Sequence, residues 1–230
     1  FALGHEFAGE IAEIGSDVKG FSVGDRIAVD PQLPCGECRF CRSGRYNLCT
    51  NMRFFGSASC CPHIDGGFGE YVAVPARNCY LLPEGLDYGY AAMLEPLTIA
   101  THAVMKASRN GGIAGKRLLI TGAGSIGQLV LLVARAYGAS SIAVSDVEAF
   151  PRDFAIRAGA DFAFDPRNDE INSFATNDAI DVIIEVSGSP IALAQSLRLV
   201  GRGGTVVQVG TQSASVELPI NLVMSKELLV

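Results

Sequence analysis

The chain has 230 residues, of which 49% are hydrophobic and 18% are charged, with a formal net charge of −6. The length allows two modest domains or parts of them. The negative charge argues against a nucleic-acid partner, because phosphate binding requires a basic patch, and the longest apolar runs, such as 129–134, are too short to cross a bilayer.

The first part of the chain is rich in glycine, proline and short β-type runs. Strands are predicted at 7–14, at 26–29 after a Gly-Asp turn signal, and at 71–74 before a proline. A long loop, 31–51, separates the second of these strands from the third. We therefore predict a β-rich domain over residues 1–95.

The pattern changes near Asp87, after which helices and strands alternate. Helical spacing covers 88–107 and is interrupted by Pro96. Further strands are predicted at 117–121, 141–145, 161–164, 181–186 and 205–209, and further helices at 126–137, 151–158 and 191–200. This alternation predicts an α/β domain with a parallel, doubly wound sheet over residues 96–230.

Four cysteines within the predicted loop have the spacing C-x2-C-x2-C-x7-C; they are Cys35, Cys38, Cys41 and Cys49. Four thiolates can surround one tetrahedral Zn²⁺ and leave no position open, which is typical of a structural site. Two disulfides are the alternative interpretation. Three more cysteines, Cys60, Cys61 and Cys79, give an odd total that fits a reducing compartment, so we expect a cytoplasmic protein.

A glycine-rich turn, with the sequence GAGSIG, joins a predicted strand directly to a predicted helix. This is the context that a dinucleotide-binding turn requires. We assign the tight turn to Gly122, the close approach of a pyrophosphate to Gly124, and helix–strand packing to Gly127. Ser125 and Ile126 open the helix, whose N-terminal N–H groups can bind phosphate. A glycine turn that binds nothing is the alternative.

Asp146 closes the next predicted strand, 19 residues beyond the last glycine of that turn. An acidic side chain there can accept hydrogen bonds from the ribose hydroxyls of NAD and would repel the 2′-phosphate of NADP. The nearby Arg152 could soften that preference. Small residues at two further strand ends, Ser187 and Val209-Gly210, are predicted to lie against the nicotinamide, although each also fits an ordinary turn.

Six segments resemble the zinc-dependent medium-chain alcohol and polyol dehydrogenases in content and order; they are GHEFAGEIAEIG (4–15), VGDRIAVDP (23–31), the four-cysteine loop, DGGFGEYVAVP (65–75), EPLTIATHAV (95–104) and GAGSIGQL (122–129). The resemblance implies a GroES-like catalytic domain followed by a Rossmann domain, with a catalytic zinc in the cleft between them. Because the family has further chain at both ends, we expect both domains to be partial.

The resemblance also implies a set of catalytic residues. In the polyol branch of the family, the zinc environment comprises a cysteine, the His of GHE, the Glu after it and the Glu of EPL. The last three places correspond to His5, Glu6 and Glu95, whereas the cysteine is expected upstream of GHE. A helix-start charge before a proline is the alternative for Glu95. Thr98 matches a position that meets the nicotinamide or the proton path.

A narrower likeness concerns MRFFGSA (52–58) and PHIDGGF (62–68), which resemble L-idonate 5-dehydrogenases. It implies oxidation of a secondary alcohol of a sugar acid or polyol. We expect NAD as the cofactor, a homo-oligomer, either dimer or tetramer, and, from the charge and the short apolar runs, neither nucleic-acid nor membrane partners. Arg53 could neutralise a substrate carboxylate, but bracing of the zinc loop is the favoured interpretation. Sorbitol or another polyol as substrate, and an inactive zinc-stabilised binding protein, remain alternatives.

Overall fold

The computed structural model describes residues 1–59, 61–109, 111–168, 174 and 179–230, so Cys60 lies outside the described residues. The chain divides into two compact units, Phe1–Pro96 and Leu97–Val230. Within the described ranges, no helix combines the length and the apolar character that crossing a bilayer requires.

Short strands and helices build the first unit. They are β1 (Ala8–Glu10), β2 (Arg26–Val29), β3 (Gln32–Leu33), α1 (Arg39–Arg42), β4 (Arg53–Phe54), β5 (Cys79–Leu81) and α2 (Tyr88–Ala92), with 3-10 turns at Tyr46–Leu48 and Ala76–Asn78. An antiparallel sheet has the order β1-β2-β5, and β3 pairs with β4 in a second sheet. The central strand β2 buries Ile27, Ala28 and Val29, because it has a neighbour on each side.

The predicted strand at 26–29 is confirmed, whereas that at 7–14 is reduced to Ala8–Glu10. The predicted strand at 71–74 is wrong: this segment is irregular, and its Tyr71 is 76% exposed. A run of suitable residues becomes a strand only where a neighbour pairs with its backbone. Among the described residues, the places beside β2 are taken by β1 and by β5, which was not predicted.

A five-stranded parallel sheet forms the second unit, with the order β10-β9-β6-β7-β8. Its strands are β6 (Arg117–Thr121), β7 (Ser141–Ser145), β8 (Phe162–Phe164), β9 (Val182–Glu185) and β10 (Thr205–Gln208). Its described helices are α3 (Leu94–Ala107), which begins in the first unit, α4 (Ser125–Ala136), α5 (Ala149–Arg157), α6 (Pro190–Leu199) and α7 (Asn221–Ser225).

Successive residues of β6 belong to two different cores. Leu118 and Ile120 pack in a cluster with residues of α3 and α4, whereas Leu119 packs in a cluster with Leu193 and Leu197 of α6. Side chains alternate between the faces of a strand, so helices cover both faces of the sheet. This arrangement confirms the predicted α/β fold with a doubly wound parallel sheet.

The chain reverses direction across the sheet beside its central strand. From β6 it moves outward through β7 to β8, then returns to form β9 on the other side of β6 and continues to β10. Ligands of such sheets bind beyond the carboxyl ends of the strands, where the order reverses. The turns that follow β6 and β9 flank that position.

The predicted strands and helices of this unit begin and end within two residues of the observed ones. However, the break in the helical segment 88–107 is predicted at the wrong residue. It falls at Met93, between α2 and α3, and not at Pro96. Pro96 is the third residue of α3, where a missing N–H costs nothing because first-turn N–H groups have no partner within the helix. The short helix α7 was not predicted.

Candidate metal and cofactor sites

The four cysteines of the loop come together in the first unit, with their Sγ atoms within 4.8 Å of one another. The Sγ of Cys41 is 3.5 Å from that of Cys38 and 4.0 Å from that of Cys35. Helix α1 starts directly after Cys38, which places Cys38 and Cys41 one turn apart. The N–H of Cys35 donates to the Sγ of Cys49 at 3.3 Å. The loop's own backbone thus holds the sulfur atoms.

These separations fit a metal better than disulfides. Zinc–sulfur bonds of about 2.3 Å place the four sulfurs of a tetrahedral site about 3.8 Å apart, whereas a disulfide requires about 2.05 Å. All four residues are free cysteines. The donor set and its spacing therefore fit one closed, structural zinc site.

At two of the four cysteines, hydrogen bonds favour the thiolate form that a metal requires. The N–H groups of Cys41 and Thr50 lower the pKa of Cys38 to about 5. The N–H of Cys35 is the largest influence on Cys49 and lowers the pKa of that thiol against the effect of its burial. Burial raises the pKa of Cys41 to about 12, and side-chain hydrogen bonds with the other three cysteines add to this shift.

A second group of possible ligands consists of His5, Glu6 and Glu95, whose ligand atoms also lie within 4.8 Å of one another. His5 and Glu95 are half-buried and Glu6 is exposed. Burial raises the pKa of Glu95; His5 opposes this shift and Glu6 adds to it. The Phe54 and His5 rings meet in an edge-to-face arrangement, with 5.4 Å between centroids. An imidazole and two carboxylates are a donor set that zinc accepts.

Glycines that sequence reasoning did not single out hold the segment bearing His5. A Cβ on Gly56 or on Gly66 would lie 2.1 Å from the Gly4 carbonyl oxygen, and the N–H of Gly67 donates to that oxygen at 2.8 Å. Only residues without side chains allow this approach of three backbone segments. The adjacent glycines 66 and 67 were the available sequence signal.

Two further predicted site residues, Thr98 and Arg53, are exposed. Thr98 is exposed and lies three residues after Glu95 in α3, on the same side of that helix. Arg53 is exposed in β4, where its backbone pairs with Leu33 beside the cysteine loop. Cys61 and Cys79, the other described cysteines, belong to neither group of ligands.

The glycine-rich turn connects β6 to α4 in the second unit. Gly122 has a φ of +99°, and a Cβ there would lie 2.9 Å from the backbone of Ser187. Gly124 precedes the helix and is exposed, and a Cβ there would meet no atom within 4 Å. A Cβ on Gly127 would lie 2.0 Å from the Gly122 carbonyl oxygen. Space beside the helix N-terminus therefore exists at Gly124, while Gly127 closes the packing behind it.

Ser125 and Ile126 are the first two residues of α4. Their N–H groups lack carbonyl partners within the helix, as at every helix start. Ser125 is exposed and Ile126 is partly buried against the core. Both backbone N–H groups therefore suit the predicted phosphate contact.

Asp146 lies directly after β7, beside the glycine-rich turn. Its Oδ2 accepts the N–H of Ala123 at 2.8 Å, and its Oδ1 accepts the N–H of Glu148 at 2.9 Å. Arg152 donates to the Asp146 carbonyl oxygen at 2.7 Å and lies 3.7 Å from the Asp165 carboxylate. Arg152 is thus directed at protein acceptors, which limits its predicted role towards a 2′-phosphate.

The predicted nicotinamide residues lie at the carboxyl ends of β9 and β10. Ser187 is exposed, and Val209 and Gly210 are half-buried. Sequence reasoning missed Glu185, the last residue of β9, which is fully buried and binds both strand ends. A charged residue closing the apolar run VIIE was the signal.

Comparisons with known proteins agree with the fold described above. The family model of the alcohol dehydrogenase GroES-like domain matches residues 1–84, and that of the zinc-binding dehydrogenase domain matches residues 125–230. Sorbitol dehydrogenase of Bacillus subtilis is 38% identical over 226 residues, which cover 96% of this chain and 62% of the relative. L-threonine 3-dehydrogenase of Pyrococcus abyssi is 38% identical over 233 residues, covering 99% and 64%.

Among solved structures, L-idonate 5-dehydrogenase from Escherichia coli superposes with a TM-score of 0.91 at 36% identity, covering 99% of this chain and 64% of that chain. The chain thus spans less than two thirds of the length of these relatives. Both family models match in the order that the sequence predicts, and the likeness extends over nearly every residue. The chain belongs to the zinc-dependent medium-chain alcohol and polyol dehydrogenase family.

Proposed function

We propose that this protein is a zinc-dependent oxidoreductase that transfers a hydride from a secondary alcohol of a sugar acid or polyol to a nicotinamide dinucleotide. The observation that carries the proposal is the group formed by His5, Glu6 and Glu95, which is separate from the cysteine site in the same unit. His5 and Glu95, together with the cysteine that the family resemblance implies upstream of GHE, make three protein ligands. Three ligands leave a position on zinc for a substrate oxygen, whereas four thiolates do not.

Bound zinc supplies a Lewis acid that lowers the pKa of an alcohol, and the dinucleotide supplies the hydride acceptor. His5 and Glu95 are the proposed ligands, with Glu6 either a ligand or a neighbour that holds a proton. Gly124 leaves room for the pyrophosphate, and the N–H groups of Ser125 and Ile126 bind it. The alcohol would give its hydroxyl proton to solvent, with Glu6 as a possible carrier, and the hydride on its carbon to the nicotinamide ring, and it would thereby become a ketone.

NAD is the proposed cofactor in preference to NADP. The Asp146 carboxylate retains lone pairs beyond the two that backbone N–H groups occupy, so it can still accept hydrogen bonds from ribose hydroxyls. A 2′-phosphate would meet its negative charge, and Arg152 faces Asp146 and Asp165 instead. Ser187, exposed at the end of β9, supports the nicotinamide end.

The proposed substrate is L-idonate or a related sugar acid, with sorbitol or another polyol as the alternative. The idonate-like segments 52–58 and 62–68 support the first choice, and the exposed Arg53 can meet a carboxylate. Sequence identity does not separate the candidates, since relatives that bear the names sorbitol, threonine and idonate dehydrogenase are each 38% identical.

Steady-state assays on the full-length protein test the proposal, with L-idonate, sorbitol and L-threonine as substrates and NAD or NADP as acceptor. NAD-dependent turnover of L-idonate that is lost in His5→Ala and Glu95→Gln but kept in Glu10→Gln supports it. Turnover of sorbitol but not of L-idonate would identify a polyol as the substrate. Bound zinc without turnover of any alcohol would favour the inactive, zinc-stabilised binding protein. The homo-oligomer and the cytoplasmic location stay predictions. Light scattering would measure the molar mass of the assembly, and cell fractionation would determine the location.

A further inference from the structure

Glu185 is a carboxylate with none of its surface exposed, at the carboxyl end of β9. Its Oε1 accepts three hydrogen bonds, from the N–H of Ser187 at 2.8 Å, the hydroxyl of Ser187 at 2.5 Å and the N–H of Gly188 at 3.0 Å. Its Oε2 accepts the Nε2 of Gln212 at 3.1 Å. Buried charge is costly unless hydrogen bonds satisfy it, so these four donors define the position of the carboxylate.

The backbone of the same residue binds the next strand. The Glu185 carbonyl oxygen accepts the N–H of Val209 at 2.8 Å and that of Gly210 at 3.0 Å. One residue therefore binds the turn after β9 through its side chain and the turn after β10 through its side chain and its backbone.

The turns around Glu185 are packed with no room for a methyl group. A Cβ on Gly210 would lie 2.2 Å from the Gly188 nitrogen and 2.8 Å from the Glu185 Oε2. A Cβ on Gly122 would lie 2.9 Å from the Ser187 nitrogen. The glycine-rich turn and the two turns bound by Glu185 therefore form one contiguous layer at the carboxyl edge of the sheet.

We propose that Glu185 is a positioning residue for the nicotinamide half of the cofactor. It fixes Ser187 and the pair Val209-Gly210 at one distance from the glycine-rich turn, so that the layer presents a preformed surface to the ring. The proposal depends on the proposed function, because it assumes that a nicotinamide dinucleotide occupies this edge. The adenosine half lies against Asp146, which has its own backbone hydrogen bonds and needs no support from Glu185.

The test compares the affinities of NADH and ADP-ribose by calorimetry, since ADP-ribose lacks only the nicotinamide. Unsatisfied buried donors and disordered turns in Glu185→Ala should weaken NADH about tenfold or more while ADP-ribose changes less than about twofold. Gln212→Ala removes only the Oε2 contact, so a smaller loss confined to NADH is expected. The control is Asp161→Asn, a carboxylate-to-amide change directly before β8 that removes the charge of the ion pair with Arg135 and should leave both affinities unchanged.

Glu185→Gln serves as the conservative variant. The amide oxygen of the new side chain can accept the three donors of the turn after β9, and its NH2 group takes the place of the Glu185 Oε2. The Gln212 carboxamide can rotate and accept from this NH2 group through its own Oε1, which has no partner among the described residues. NADH affinity within about threefold of wild type is the expected rescue.

Equal losses for the two ligands in Glu185→Ala would overturn the proposal, as would unchanged NADH binding. If Glu185→Ala does not fold, Gln212→Ala is the deciding variant. A loss of affinity for NADH alone supports the proposal, and equal losses for the two ligands or unchanged NADH binding overturn it. If the wild-type protein binds neither ligand, the proposed cofactor itself is wrong. If the NADH affinity of both variants equals that of wild type, only the positioning role is wrong.

Discussion

Alanine at Gly127 and at Gly124 should have opposite effects, because only one of these glycines is packed against protein. A Cβ on Gly127 would lie 2.0 Å from the Gly122 carbonyl oxygen and 3.3 Å from a methyl of Val186. Alanine is favoured over glycine in a helix by about 1 kcal/mol, but overpacking costs about 1–3 kcal/mol. The oxygen belongs to a tight turn that cannot move aside, so we take the upper value and expect a net loss of about 2 kcal/mol.

A loss of about 2 kcal/mol lowers the Tm of a chain of this size by about 4–8 °C. Gly124 has a φ of −66°, which alanine adopts readily, and its Cβ would meet no protein atom within 4 Å. The weaker helix cap of alanine is offset by the smaller entropy of its unfolded chain, so the Tm should stay within about 2 °C. Its methyl would occupy the space that we assign to the pyrophosphate, and NADH binding should weaken about tenfold or more.

Thermal melts followed by circular dichroism and calorimetric titration with NADH separate the two effects. Gly127→Ala should lower the Tm, and Gly124→Ala should lower affinity at a nearly constant Tm. If Gly124→Ala bound NADH as tightly as wild type, the dinucleotide would not lie against this turn. If Gly127→Ala melted like wild type, the contact with Gly122 would not limit packing.

Three shorter predictions address the metal, the cofactor and the pH response. Cys41→Ser should lower both the Tm and the zinc content measured by mass spectrometry, whereas Cys79→Ser should keep the metal; equal zinc contents would contradict the closed site. Asp146→Ala should weaken NAD and improve the relative use of NADP, and an unchanged ratio of their kcat/KM values would exclude the ribose contact. Hydrogen bonds from Arg167 hold the pKa of Asp165 well below its usual range, so this carboxylate stabilises the fold above its unfolded pKa of about 3.9 and progressively less below it. The Tm difference between wild type and Asp165→Asn should therefore shrink as pH falls below about 4, and a constant difference would argue against the ion pair.

The second unit could be predicted closely from the sequence because its signals are local. Buried parallel strands appear as continuous apolar runs, such as Leu118–Ile120 within β6, and β6, β7 and β9 are each followed by a helix with its own periodicity. In the first unit, strand formation depends on partners far away in the chain. The run at 71–74 has suitable residues and no described strand beside it, whereas Cys79–Leu81 gains β2 as a neighbour and becomes β5.

The candidate sites divide in the same way. The cysteine cluster and the glycine-rich turn are each contained in a short segment, so their spacing alone predicts their chemistry. His5 and Glu95 are 90 positions apart, and only the family resemblance brought them together before the structure did. Local patterns mark Gly66 and Glu185 as unusual residues, but they do not identify the distant partners, Gly4 and Gln212, that these residues contact.

The cysteine loop and the His5 group are physically connected, although each has its own ligands. The loop runs from β3 to β4, and the pairing of these strands fixes where the chain leaves the loop. The ring of Phe54 in β4 meets the His5 ring in an edge-to-face arrangement, and two residues later Gly56 packs against the Gly4 carbonyl. A metal that fixes the loop therefore also fixes the segment on which His5 rests. Four thiolates leave no open position on a bound zinc, so its proposed role is to fix, through these contacts, the segment that carries the His5 imidazole.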